Sequence, residues 1–275
     1  MLFALLLACV DDEKKPAEMS VEIPFALRMG NEDFGCGIDY EGVGTSATTV
    51  EALDARFYVY DVTLIAEDGT EALVRLDQDG VWQRDNLALL DFEDGSASCE
   101  TGSPATRNVV TGTVPEGDWH ALRFTMGVPP EQNHLDAATS APPLNVTGLW
   151  WSWAGGYKYA RIDVATPTNP AFYFHLGATD CVGDAASGYE CAKDNLPTIE
   201  LAEFHPGESR VVYDLATFYG DSDLDAPPDN VTDFVSGCMA FTGDGECDTI
   251  LAHLGLPWEA STTAPAADVF TVESL

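Results

Sequence analysis

The stretch Ala55-Arg56-Phe57-Tyr58-Val59-Tyr60-Asp61-Val62-Thr63-Leu64 decides the fold. Its apolar and aromatic content alternates with period two, the pattern of a strand with side chains on both faces. Upstream, Val21-Glu22-Ile23-Pro24-Phe25-Ala26-Leu27 alternates in the same way. Downstream, seven further segments read as strands: 72–76, 107–114, 119–126, 157–164, 171–176, 198–204 and 209–215. Turn signals separate them, among them Glu67-Asp68-Gly69, Pro115-Glu116-Gly117 and Pro206-Gly207-Glu208. Asp77-Gln78-Asp79-Gly80 before Val81-Trp82-Gln83 reads as a hairpin. Short strands punctuated in this way predict an all-β fold, an antiparallel sandwich or barrel. Helix is sparse: Asp248 to Leu254 before Gly255 is the convincing one, with helical turns expected at 87–90 and 215–219.

Three stretches interrupt the strands. They are 127–144, 177–197 with two cysteines, and the acidic, Pro-rich 220–230. Long irregular loops in a compact domain are usually functional. The organisation expected is a leader and tether over 1–19, one β-sandwich domain over 20–256 and a C-terminal tail over 257–275.

Charge excludes several partners. Of 275 residues, 12 are Lys or Arg and 46 are Asp or Glu, a net charge of −34 at pH 7. Nucleic acid and anionic lipid surfaces both require clustered Lys/Arg, so neither is expected. Hydrophobic content of 45% supports a core despite the acidity.

The N-terminus and the cysteines point to export. Residues 1–9 form an apolar run ending Leu6-Leu7-Ala8-Cys9, which resembles a bacterial lipobox with Cys9 as the lipidated residue. The run is shorter than the ~20 apolar residues that span a bilayer, so membrane contact is expected only through a lipid anchor. It lacks a basic n-region, which marks an atypical leader or a start further upstream. An ordinary apolar N-terminus is the alternative. Six cysteines remain, an even number suited to three disulfides in an exported protein.

Few residues carry chemistry. The five histidines are His120, His134, His175, His205 and His253. A neutral imidazole is the commonest metal ligand, although each also reads as a packed, hydrogen-bonded side chain. His253, near the end of the helix, and His205, before a Pro-Gly turn, read as capping or solvent-facing. In Trp150-Trp151-Ser152-Trp153, strand geometry puts Trp151 and Trp153 on one side, as core or as the lining of a site. The sequence contains no nucleophile elbow, phosphate loop or zinc helix motif, so the chain is not expected to be an enzyme. Asp221-Ser222-Asp223-Leu224-Asp225 starts like a calcium loop, but Ala226 and Thr232 stand where glycine and the bidentate Glu belong. Asn145-Val146-Thr147 and Asn230-Val231-Thr232 match glycosylation sequons.

Ten segments in order carry a family resemblance. They include Phe34-Gly35-Cys36, 54–62, Leu89-Leu90-Asp91-Phe92-Glu93-Asp94, Phe124-Thr125-Met126-Gly127-Val128-Pro129, Asn133-His134-Leu135-Asp136, Trp151-Ser152-Trp153, Gly156-Tyr157-Lys158-Tyr159, Phe174-His175-Leu176-Gly177 and Gly237-Cys238-Met239. Over residues 20–256 the chain resembles the MbnP family of copper-binding proteins, the four-cysteine half of a metallo-mystery pair. The resemblance implies a periplasmic or surface location. It also implies a di-haem partner of the bacterial cytochrome c peroxidase type, MbnH, which oxidises a tryptophan to kynurenine. A related methanotroph surface protein binds copper through histidines and a kynurenine. Carried over, His134 and His175 are the metal-ligand candidates, expected to converge, with Trp153 or Trp151 as the modified residue. Pro130 departs from the family, whose members tend to have a bulky residue there. The alternative function is a secreted adhesion or scaffold sandwich without a metal.

Among the fifteen possible cysteine pairings, Cys36–Cys99, Cys181–Cys191 and Cys238–Cys247 are expected. The last two would close short loops where the chain lacks ladder hydrogen bonds.

Overall fold

In a computed structural model the described residues are 17–152, 154–227, 235–258, 263 and 265–275. Cys9, Trp153 and Thr232, with the second sequon, lie outside them.

The chain enters through β1 (Glu18–Met29), the two-residue β2 (Glu32–Asp33) and β3 (Asp39–Val43). β4 (Thr48–Ala66) follows, then the short β5 (Glu71–Leu73), β6 (Arg75–Leu76) and β7 (Gln83–Arg84). Next come β8 (Leu87–Asp91), β9 (Val109–Pro115), β10 (Trp119–Met126), β11 (Trp150–Ser152) and β12 (Gly156–Tyr157). The second half holds β13 (Ala160–Ala165), β14 (Phe172–Leu176), β15 (Thr179–Asp184), β16 (Gly188–Lys193), β17 (Thr198–Ala202) and β18 (Ser209–Asp214). Helix α1 (Leu215–Phe218), β19 (Ser236–Cys238), α2 (Cys247–His253) and β20 (Phe270–Ser274) complete it.

Two sheets face each other. One runs β20-β18-β1-β9-β6; the other runs β17-β10-β4-β13-β14-β19, with β3, β5 and β8 also paired to β4. Pairing is antiparallel except for β1 with β18 and β14 with β19, which are parallel. The alternation in β1 buries Val21, Ile23, Phe25 and Leu27 in the core. There Phe25 meets Phe57 and Phe124 edge-on, at centroid distances of 6.2 and 5.6 Å, and Tyr213 stacks on Phe270 at 4.4 Å. Such pairs add to the stabilisation from area burial alone. The C-terminal stretch is therefore part of the sandwich, not a tail, because β20 pairs with β18 and seats Phe270 in the core.

β4 is buried on both faces. Phe57 points into the sandwich, while the Tyr58 hydroxyl donates to the Pro143 carbonyl oxygen (3.0 Å) and its ring meets Tyr157 at 6.2 Å. Residues of the long loop 127–144 thus cover the outer face of the second sheet, and the candidate site grows from this added layer.

Four expectations need correction. The hairpin at Asp77–Gln83 does not form: Arg75–Leu76 pairs with β9 and Gln83–Arg84 with β8. Asp79 instead organises a turn, its carboxylate accepting from the amides of Val81 (2.8 Å), Trp82 (2.7 Å) and Gln83 (3.0 Å). Residues 87–90 are strand and not helix, because all four side chains are buried along β4 and packing overrides helix propensity. The stretch 177–197 is not irregular. β15 and β16 form a hairpin in which Cys181 lies directly opposite Cys191. Their bridge therefore joins residues already in a ladder, contrary to the reason given for it.

Disulfides join Cys36 to Cys99, Cys181 to Cys191 and Cys238 to Cys247. The α1 turn begins at Asp214, whose side chain accepts from the Ala216 amide. Helix α2 stops before Gly255, at φ 78°, a conformation that favours glycine.

Candidate metal centre

His175 sits near the end of β14, opposite Arg161 of β13. Only 6% of its surface is exposed. Nε2 lies 3.2 and 3.4 Å from the two carboxylate oxygens of the fully buried Asp163. Burial works to raise the Asp163 pKa, but the hydrogen bond and charge of its neighbours His175 and Arg161 (Nε at 2.7 Å) hold it below the ordinary carboxylate value. Burial pushes the imidazole the other way, below its ordinary value, despite Asp163. The pair is thus an ionised carboxylate and a neutral ring. A carboxylate only accepts, so Nε2 carries the hydrogen and Nδ1 keeps its lone pair. That Nδ1 is shielded from solvent and has no hydrogen-bond partner among the described residues. A buried polar atom left unpaired is costly, and a metal-ligating histidine commonly donates its other N–H to a carboxylate.

Trp151 closes the site from above β14. Its half-buried ring lies 6.5 Å from that of His175 and 5.8 Å from that of Phe241. Tyr173 meets His175 at 5.4 Å. The indole fits because residue 177 is glycine: a Cβ there would stand 2.5 Å from Trp151 Cζ3.

His134 lies in the covering loop. Its ring stacks on Tyr189 at 4.4 Å, with Nε2 3.5 Å from Cys191 Sγ and 3.3 Å from Asn133 Nδ2. It opens on a cleft of about 630 Å³ shared with Pro130, Glu131, Asp136 and Tyr189. The neighbouring Asn133 is buried and ties the loop to the β11–β12 hairpin through the Tyr157 amide, which donates to its Oδ1 (2.9 Å). Gly156 makes this approach possible, since a Cβ there would stand 2.6 Å from the Asn133 amide group.

The structure thus groups His175 with Asp163 and Trp151, and separately His134 with Tyr189 and the Cys181–Cys191 bridge. The sulfur atoms beside His134 cannot supply thiolate ligands while bridged, because the thiolate is the ligating form. The same holds for Cys238 and Cys247 around Asp244.

Sequence reasoning missed the charged layer beneath His175. Asp54, Arg56, Asp91, Glu93 and Asp163 are all buried. Arg161 reaches Asp54 (3.1 Å) and Asp163, while Arg56 pairs with Asp54 and Glu93. Burial, reinforced by Glu93, pushes the Asp91 carboxyl up to about 8. Burial likewise pulls the Lys158 ammonium down to about 8. The signal was present: Asp54-x-Arg56 and Arg161-x-Asp163 place opposite charges on one face of strands otherwise apolar.

These features define a disulfide-braced β-sandwich with a buried, acid-backed histidine under a tryptophan at one edge. The MbnP family model matches residues 18–240, and the chain belongs to that family. Its structure is similar to that of MbnP from Methylosinus trichosporium, with 26% sequence identity and a TM-score of 0.82 over 94% of this chain and 99% of that one. No curated protein matches the sequence.

Proposed function

We propose that this protein binds copper through His134 and His175, and that Trp151 or Trp153 is first oxidised to kynurenine. The observation that carries the reading is the solvent-shielded Nδ1 of His175, unpartnered among the described residues, with Asp163 behind it. Imidazole nitrogen suits copper, which heads the divalent affinity order. An indole nitrogen is a donor only, whereas kynurenine presents an aniline nitrogen with a lone pair. Membership of the MbnP family supports the same reading.

The chain's own residues divide the work. Asp163 fixes the ring orientation of His175 and leaves Nδ1 as the ligand atom. Asn133 holds the His134 loop against β12, and Gly177 makes room for the indole. The oxidant is a di-haem partner of the peroxidase type. Two equivalents of peroxide, consumed at that partner, would supply the two oxygen atoms that add across the indole C2–C3 bond, take up its four electrons and leave as two waters; the bond breaks, and water then releases C2 as formate. The protein itself acts as a binding protein and not as a catalyst, in the periplasm or at the cell surface, with Cys9 as the lipid anchor.

Metal analysis tests this directly. Protein co-expressed with the partner should hold stoichiometric copper, and His175→Ala should abolish it while thermal unfolding stays cooperative. Copper retained by that variant would overturn the assignment of His175, and a matured parent chain without copper would favour the metal-free scaffold.

A further inference from the structure

We infer that the opposite end of the second sheet carries a second metal site, formed by His120 and His205, that takes a borderline divalent ion such as zinc. It is independent of the copper reading and shares no residue with it. His120 lies on β10 and His205 just beyond β17, two antiparallel neighbours, and the Phe204 amide donates to the His120 carbonyl oxygen (3.0 Å). Their rings stand 4.9 Å apart at 78°. With a metal–nitrogen bond of about 2.0–2.1 Å and a ring radius of about 1.1 Å, two imidazoles on one tetrahedral or square ion have centroids about 4.5–5.2 Å apart. The observed spacing falls inside that interval without movement of the backbone.

Both rings are already oriented. His205 Nδ1 lies 3.2 Å from the Trp119 carbonyl oxygen, which only accepts, so Nδ1 carries the hydrogen and Nε2 the lone pair. His120 Nε2 lies 3.3 Å from an Asp118 carboxylate oxygen. The backbone of His205 is locked by a tight turn, in which its amide donates to Ser209 Oγ and its carbonyl oxygen accepts from Glu208 and Ser209, each at 3.0 Å. His120 opens on a groove of about 640 Å³ whose other walls include Glu67, Asp68, Glu71, Glu116 and Asp118. That wall raises the local concentration of cations, while the imidazole pair selects an ion that prefers nitrogen. Water would complete the coordination, while Asp118 accepts from His120 Nε2 and leaves its Nδ1 for the ion.

The test uses the full chain with His134→Ala and His175→Ala, stripped of metal and titrated calorimetrically with Zn²⁺ in physiological salt. One saturable equivalent is expected, weakened at least tenfold by His120→Phe or His205→Phe, substitutions that keep the ring packing and remove the nitrogens. Binding that is absent, or unaffected by both Phe substitutions, overturns the site and leaves only diffuse attraction to the acidic surface. Should the double-alanine chain not fold, imidazole resonances of the wild-type chain decide: those of His120 and His205 must shift together as Zn²⁺ is added, and unchanged resonances refute the proposal.

Discussion

The Asp163 carboxylate, 3.2 Å from Nε2 of His175, determines which imidazole nitrogen is free. An asparagine in its place would offer an N–H, which can hydrogen-bond to a deprotonated Nε2 and so favour the other tautomer. We expect Asp163→Asn to weaken copper binding by about 10–100-fold, the usual range for loss of such a support. A competition titration with a chelator measures this. Unchanged affinity would show that Nδ1 is not the ligand atom.

Gly177→Ala probes the indole seat. Its Cβ would stand 2.5 Å from Trp151 and 2.7 Å from the Tyr157 carbonyl oxygen, so the ring or the strand must move. Overpacking of this kind costs about 1–3 kcal/mol. Denaturant unfolding should show that loss, together with a shift in tryptophan emission. A variant as stable as the parent would mean that Trp151 does not rest on Gly177 in solution.

Asp91 makes stability depend on pH. Its carboxyl titrates at about 8 in the folded chain, against 3.8 in an unperturbed one, chiefly because it is buried and then because Glu93 is near. Between those values the folded state holds a proton that the unfolded state has released, so stability falls as pH rises through the window and levels off above it. Asp91→Asn keeps the neutral form and should flatten, though not abolish, this slope, since burial also raises Glu93. Melting temperatures from pH 4 to 9 test it; a slope equal to that of the parent would count against the buried carboxyl as its source.

Maturation should depend on ionic strength. With a net charge of −34, the chain would attract a partner through a basic docking face. Added salt should therefore slow tryptophan oxidation. Peptide mass spectra would show one oxygen gained and one carbon lost on the peptide carrying Trp151 and Trp153. A rate indifferent to salt would rule out electrostatic docking.

Much of the sandwich was legible because its strands follow a two-residue period: Val21 to Leu27 alternates and is buried as it alternates. Residues 87–90 misled because Leu and Ala favour helix locally, while the groove along β4 makes a strand of them. The β15–β16 hairpin escaped notice because its strands are largely polar and exposed, with only Thr179 buried. At the site, histidines and tryptophans stood out as rare residue types in family-like segments. Asp163 did not, since an acid among 46 acids is conspicuous only once its burial is known. Residue spacing could not bring Asp163, twelve positions before His175, into contact with it; strand pairing does that.

β4 pairs with β3, β5, β8, β10 and β13, whereas among the described residues the β15–β16 hairpin pairs only with itself. Amide hydrogens of β4 should therefore exchange with solvent only through global unfolding, and those of the hairpin through far cheaper local opening. Tyr189, which stacks on His134, belongs to that hairpin. The His134 side of the site can thus breathe while His175, anchored next to β13, stays fixed.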